Sequence, residues 1–406
     1  MRTIFAMFLT LIIASSASQC WADDWPQFRG PWRDGKSRET GLMEKWPEGG
    51  PPMLWHVEGL GRGFASVSVV DDVIYTTGMI DKRGHLFAIT TDGELKWRKE
   101  YGPEWTGSFP GTRTTPTVDA DRLYIMSGQG RIACFDRAEA ELLWKVDTLD
   151  KFGGRNIKWG ISESVLIEGD RVFCTPGGND ASIVALYKYT GRTIWTTEGL
   201  SNLSAYCSPI LYRTPRKNLL LTMIRKLFVC ADSETGEVVW TIPHETRNDI
   251  AAVTPVAYCQ GSVYFTSHGT GGTKIHFPQD ANDYEVRWSS EALDCLHGGV
   301  VWYGQFYGSD SDGNWVCQDP ITGEVMFEEK LLDAKGCIIA ADGMLYCYTE
   351  KGTVALVDPG RRDMELVSSF KITLGEDQHW AHPAISDGVL YIRHGNVLMA
   401  FDIAEK

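Results

Sequence analysis

Aromatic residues close similar units along this chain at a period that few architectures use. Trp55, Trp97, Trp144, Trp195, Trp240, Trp288, Phe327 and Phe370 follow one another at intervals of 39 to 51 residues, with a mean of 45. Within each unit an apolar strand turns at Asp-Gly or a similar pair, and a strand with Tyr or Phe follows. A Gly-bearing turn, an apolar strand ending near Asp, a Thr-Gly turn and the aromatic-closed strand complete it. Residues 231–240 (ADSETGEVVW) and 318–327 (QDPITGEVMF) are the clearest copies; 135–144, 186–195 and 89–97 are weaker ones. Four short strands at this period are the signature of a propeller blade.

Each repeated residue has a physical role. Asp can bond nearby backbone N–H groups and fix the turn, and Gly supplies the positive φ that the turn requires. The Trp is large enough to pack between blades that could not bury their faces alone. The Trp series is therefore structural and is not a ligand cage.

The chain ends complete the count. Residues 384–402 provide three strands and stop before a fourth, while residues 52–57 (PMLWHV) form an outer strand with no blade of its own. Joining them closes the ring and removes raw sheet edges. The expected fold is all-β: an eight-bladed β-propeller of four-stranded antiparallel blades, closed by the N-terminal strand, in one domain over residues 23–406. Residues 273–288 are the weakest copy, so seven blades with an insertion there is the alternative.

The first residues read as an address. Arg2, the apolar run 4–14 and the stretch ending at Ala22 have the layout of a secretory signal peptide over residues 1–22, too short to span a bilayer. Cleavage is expected after Ala22, with a lipid anchor on Cys20 as the alternative. This places the chain outside the cytoplasm, in the periplasm or beyond the cell, and no later segment reads as a membrane span. With a net charge of −14 and no dense Lys/Arg cluster, nucleic acid is excluded as a partner. Beyond Cys20 there are nine cysteines, Cys134, Cys174, Cys207, Cys230, Cys259, Cys295, Cys317, Cys337 and Cys347. Most lie in apolar strand patterns and read as small buried hydrophobes rather than a disulfide scaffold or a zinc site.

The Asp-x-x-Thr-Gly-x-x-x-Trp signature resembles the tryptophan-docking repeat of pyrroloquinoline quinone (PQQ) dehydrogenases and their non-enzymatic relatives. Residues 25–31 (WPQFRGP) and 152–163 (FGGRNIKWGISE) are similar to secreted bacterial PQQ-like repeat proteins. The resemblance implies two functional precedents. One is a periplasmic dehydrogenase that oxidises alcohols or sugars with PQQ and Ca²⁺. The other is a cofactor-free scaffold of an outer-membrane protein insertion machine. The chain departs from the enzymes: no two cysteines are adjacent, there is no Cys-x-x-Cys-His haem site, and little length is left for roofing loops.

In a propeller the loops leading into the innermost strands converge on one end of the channel, where ligands usually bind. Here they carry Arg62, Arg113, Lys158, Trp159, Glu163, Tyr206, Asn248, Asp249, His297, Lys335, Gln378, His379, Trp380 and His382. Plain solvated loops are the competing reading. The candidate ligand-binding set is Arg113, Trp159, Glu163, Tyr206, Asn248, Asp249, His297, His379, Trp380 and His382. His379 and His382 flank Trp380, which suits ligand stacking, or metal binding if a third ligand were near. Glu163 with Asn248 and Asp249 are the residue types that the resemblance implies for Ca²⁺ and a catalytic base. Asp310-Ser-Asp-Gly-Asn314 lacks the distal Glu of a calcium loop and reads as a turn. Gly269-Thr-Gly-Gly272 lacks the Lys-Ser/Thr of a phosphate loop, and the Gly-x-Ser-x-Gly of a hydrolase elbow is absent.

The reading is a secreted, non-catalytic binding or scaffold propeller, with a protein or carbohydrate-like ligand at the loop-lined end and no cofactor. The rival is an oxidoreductase using PQQ and Ca²⁺ or another small cofactor. A third is a sugar-active enzyme using His379 and His382.

Overall fold

The computed structural model describes residues 24–406 apart from 180, 260 and 361. The signal-peptide expectation, with cleavage after Ala22 and the Cys20 alternative, lies outside the described residues. Eight four-stranded antiparallel sheets form the blades of the propeller. In chain order blades 1 to 7 span residues 68–103, 117–147, 166–196, 210–243, 256–290, 301–329 and 336–371. Blade 8 takes three strands from 384–402 and its outer strand, Met53–Val57, from the start of the chain. The register pairs Trp55 with Ala400 and Val57 with Leu398. The weak copy builds a regular blade: Gly271–His276 and Glu285–Ser290 are the third and fourth strands of blade 5. The ring therefore has eight blades, and the seven-bladed alternative falls.

Burial follows position within the blade. The inner strands Ser68–Val70 and Ala384–Ser386 are wholly buried, as are most residues of middle strands such as Asn218–Ile224. Each middle strand is sandwiched between two neighbouring sheets, so its sequence is almost continuously apolar rather than alternating. Outer strands such as Leu95–Pro103 face solvent over most of their length. At the turns, Asp232 Oδ1 accepts from the N–H groups of Glu234 (2.8 Å) and Thr235 (3.1 Å), and Asp319 Oδ1 does the same for Ile321 and Thr322.

The segment before Met53 does more than lead into a strand. Inner strands are sheet edges whose unpaired backbone groups face the channel, and an uncovered edge must find partners. Trp25 pairs with Val69 of blade 1, and Val118 N–H of blade 2 donates to Pro26. Arg33 donates to the carbonyls of Ser164 and Val165 before blade 3, and of Pro209 before blade 4. Arg29 donates to Val300 (2.7 Å) and Ile338 (3.3 Å) and contacts His382 Nδ1. Both arginines are 2% exposed. One short segment thus ties seven of the eight blades together from inside. A guanidinium suits this task because it has five donors and no acceptor.

Candidate functional site

The loops that enter the inner strands are locked to one another by hydroxyls. Ser66 N–H donates to Thr115 Oγ1 (3.2 Å), Thr115 N–H to Ser164 Oγ (3.0 Å) and Ser164 N–H to Ser208 Oγ (3.0 Å). Ser66 Oγ donates to the His382 carbonyl at 2.6 Å. Side chains just before these hydroxyls are thereby held at fixed positions around the channel mouth. The signal was available in sequence as Ser66, Thr115, Ser164, Ser208 and Thr254, each two residues before the inner strand of blades 1 to 5.

Above this ring lies a cavity of about 370 Å³. Phe28 of the N-terminal segment contributes to it, packing edge-on against His382 at 4.9 Å between centroids. Phe64, Phe109 and Trp380 form one wall, with Trp380 5.0 Å from Phe64 and 4.9 Å from Phe109. Trp159 and Tyr206, 6.0 Å apart, form another. Ile250, Ala252 and Leu296 add aliphatic surface, and Ser162 and Ser208 add hydroxyls. Phe109 is 42% exposed and has φ of 54°, unusual for a bulky residue.

Six of the ten candidate residues line this cavity: Arg113, Trp159, Tyr206, His297, Trp380 and His382. Arg113 donates to the carbonyls of Gly111 and Phe109, both at 2.6 Å, and its guanidinium lies 5.7 Å from the Phe64 ring centre. Burial lowers its pKa to about 10. His297 Nε2 bonds Glu350 at 2.7 Å, and Trp380 Nε1 donates to the same oxygen at 3.1 Å. Burial opposes ionisation of Glu350, yet the His297 bond and the charges of His297 and Lys335 hold its carboxyl below the usual range. His382 Nε2 meets the His297 carbonyl at 3.1 Å; burial, then the nearby Arg29, hold its pKa far below that of a free imidazole.

Four candidates stand elsewhere. Glu163 is fully buried, accepting from Thr175 N–H (2.9 Å) and Thr175 Oγ1, and burial pushes its pKa up to about 7. Asp249 pairs with Arg225 at 2.7 Å, and Asn248 beside it has φ of 60°; neither lines the cavity. His379 stacks on His394 at 3.6 Å and bonds Tyr348 Oη at 2.6 Å, so it belongs to a packed pair behind Trp380 in sequence. The tight register of His-x-x-His thus sends its two rings to different surroundings. Among the other loop residues, Arg62 pairs with Asp377 at 2.8 Å and Lys158 lies 4.4 Å over the Trp159 ring. Asp310 closes its own turn, accepting from Asp312 and Asn314 N–H. Sequence reasoning missed Phe28, in the N-terminal segment, Glu350, in the turn between the second and third strands of blade 7, and Phe64 and Phe109, which lie in inner-strand loops but carried no motif.

Two overlapping stretches, residues 19–147 and 82–329, match the family described as outer membrane protein assembly factor BamB. The chain belongs to this family. It is a PQQ-like β-propeller protein, related to BamB and to PQQ dehydrogenases. A BamB from Kangiella koreensis is 24% identical over 214 residues, covering 50% of this chain and 48% of that protein. A quinoprotein ethanol dehydrogenase from Pseudomonas aeruginosa is 24% identical over 159 residues, covering 35% of this chain and 25% of the enzyme. The matches thus span about half or less of the curated relatives' own length. The crystal structure of BamB from Moraxella catarrhalis superposes with a TM-score of 0.63 at 16% identity, covering 87% of this chain and 99% of that one. The quinohemoprotein alcohol dehydrogenase ADHIIG of Pseudomonas putida HK5 reaches 0.68 at 12% identity, covering 95% and 81%. These structural likenesses establish the propeller fold. No helix of the described residues is long and apolar enough to cross a membrane.

Proposed function

We propose that this BamB-family chain is an exported, non-catalytic binding propeller whose ligand or partner engages the channel mouth. The observation that carries the reading is the composition of the 370 Å³ cavity, which is aromatic and aliphatic with few polar groups. Apolar walls with a few placed polar groups describe a recognition surface. Several polar groups around it are bonded to one another: His297 Nε2 and Trp380 Nε1 to Glu350, and His382 to Arg29 and the His297 carbonyl. His297 keeps its other ring nitrogen, Nδ1, buried without a hydrogen-bond partner. Similarity to an assembly factor favours a protein partner; the aromatic walls also suit a carbohydrate-like ligand.

The donor set does not fit PQQ with Ca²⁺. A calcium ion takes six to eight oxygen ligands, several of them carboxylates. No carboxylate lines the cavity, Glu163 is turned to Thr175, and Asp249 to Arg225. Among the described residues no three His, Cys, Asp or Glu side chains group as metal ligands.

The test is a pair of measurements on the mature chain. Peptide and oligosaccharide libraries should yield a binder whose affinity is lost in the Trp159→Ala/Trp380→Ala double variant, provided that variant melts like the parent. Reduction of a dye by an alcohol or sugar in the presence of PQQ and Ca²⁺ would overturn the non-catalytic reading.

A further inference from the structure

Among the described residues the cavity wall carries one positive charge, on Arg113, that makes no ion pair. The partners of Arg113 are backbone carbonyls, those of Gly111, Phe109 and, more distantly, Ser108. None of the ion pairs among the described residues involves it. The carboxyl whose charge reaches it is Glu104, and that group is otherwise committed. It accepts from Tyr101 Oη (2.7 Å), Trp105 N–H (2.8 Å) and Gly128 N–H (2.5 Å), fully buried, with its pKa pushed up to about 7 by that burial. Beside Trp380 the His297 ring is matched by Glu350, so it adds no second free cation. Lys158 is engaged over Trp159 and does not line the cavity.

A lone guanidinium set among aromatic rings selects for two features in one molecule. An anion gains a charge-assisted, two-pronged hydrogen bond that a neutral group cannot match. A flat ring gains contact with Trp159, Tyr206 and Trp380. The volume suits a one- or two-ring molecule.

We propose that the channel mouth is a site for a small aromatic monocarboxylate, with its ring against Trp159, Tyr206 and Trp380 and its carboxylate on Arg113. This assignment rests on the binding reading above and names its ligand chemistry. One free cation matches one carboxylate, so a polyacid is a poorer fit.

The experiment is calorimetric titration of the mature chain with 2-naphthoate, the neutral 2-naphthylmethanol and the cationic 2-naphthylmethylamine. Naphthoate is expected to bind about tenfold or more tightly than the alcohol, the scale of one charge-assisted hydrogen bond. Arg113→Gln should erase that preference while leaving the alcohol's affinity in place, and Trp159→Ala should weaken both. Should Arg113→Gln fail to melt cooperatively, the wild type decides: added salt should weaken naphthoate and spare the alcohol. Equal binding of all three probes would overturn the charge assignment and leave the cavity reading standing. Absence of any probe binding would sink both. Tighter binding of PQQ, a tricarboxylate, than of naphthoate would overturn the monocarboxylate assignment.

Discussion

The indole N–H of Trp55 donates to the carbonyl of Thr91 at 2.7 Å, across the seam between the last blade and the first. The same bond recurs around the ring, from Trp144 to Lys188 (2.8 Å), Trp195 to Ser233 (3.1 Å) and Trp240 to Ala281 (3.1 Å). In each case an outer-strand Trp reaches the turn of the following blade. Blade 5 breaks the pattern: Trp288 Nε1 is buried without a partner. The Pro320 carbonyl in the next turn is taken by Lys274 Nζ (2.7 Å) and Tyr258 Oη (3.1 Å).

The first prediction concerns that seam. Deleting residues 24–58 should abolish cooperative folding, because it removes the outer strand of blade 8, Trp55, and both buried arginines of the channel segment. Edges on the inside and outside of the ring would then lack partners. Differential scanning calorimetry decides it: a single sharp transition at the parent temperature would refute the closure argument.

The second concerns the docking itself. Trp240→Ala should cost about 3–5 kcal/mol, the range for emptying a large buried aromatic site. Gly236→Ala should also destabilise, by about 1–2 kcal/mol from its left-handed backbone alone. Its φ is 79°, and a Cβ there would sit 2.5 Å from Trp195. Urea titrations measure both; a loss under about 1 kcal/mol for Trp240→Ala would show the seam to be peripheral.

The third is a pH effect with a defined sign. Glu104 and Glu163 are fully buried, and burial raises each from 4.5 to about 7. The folded state therefore holds protons that the unfolded chain releases between pH 4.5 and 7, and stability from these groups declines as pH rises through that window. Each contributes up to about 3 kcal/mol at 1.4 kcal/mol per unit. Burial also lowers His244 and His379 to about 4, and these act in the opposite direction below pH 6.5. The difference between variant and wild type isolates the carboxyls. Glu163→Gln should gain on the wild type between pH 5 and pH 8, and a constant difference would contradict the assignment.

The fourth concerns thiols. Cys134, Cys174, Cys207, Cys230, Cys295, Cys317, Cys337 and Cys347 are buried and Cys259 is exposed, all nine as free cysteines. Burial raises Cys134 and Cys295 to about 11 and Cys207 to about 12, away from the reactive thiolate. Ellman's reagent should titrate one thiol quickly in the native mature protein and the rest only in denaturant. A Cys259→Ser variant that still reacts quickly would show that another cysteine is accessible.

From sequence alone the blade count, the strand order within a blade and the borrowed outer strand were legible. These depend on local signals: Asp accepts from the next two or three N–H groups, Gly adopts positive φ, and Trp needs a neighbour to bury against. Each signal repeats at a fixed spacing, so one copy explains the others. The Gly of the turn carries a second duty that composition does not reveal. Gly93, Gly191 and Gly323 lie against the faces of Trp55, Trp144 and Trp288, where a Cβ would come within 2.7 to 2.8 Å.

The site was decided by the tertiary structure. Arg113, Trp159 and Tyr206 meet because three successive inner-strand loops converge, yet Glu163, only four residues after Trp159, turns into the core toward Thr175. His379 and His382 lie three residues apart and part company in the same way, one stacked on His394 and the other facing the cavity. Sequence spacing cannot say which way an irregular loop turns its side chains, because that depends on partners brought beside it by the folded sheets, such as Thr175 for Glu163 and Tyr348 and His394 for His379. The N-terminal segment makes the point most plainly. Residues 25–31 read as a family resemblance, but only the closed ring, with its inner edges needing donors, makes Arg29 and the nearby Arg33 the pegs that hold the channel and sets Phe28 at the cavity.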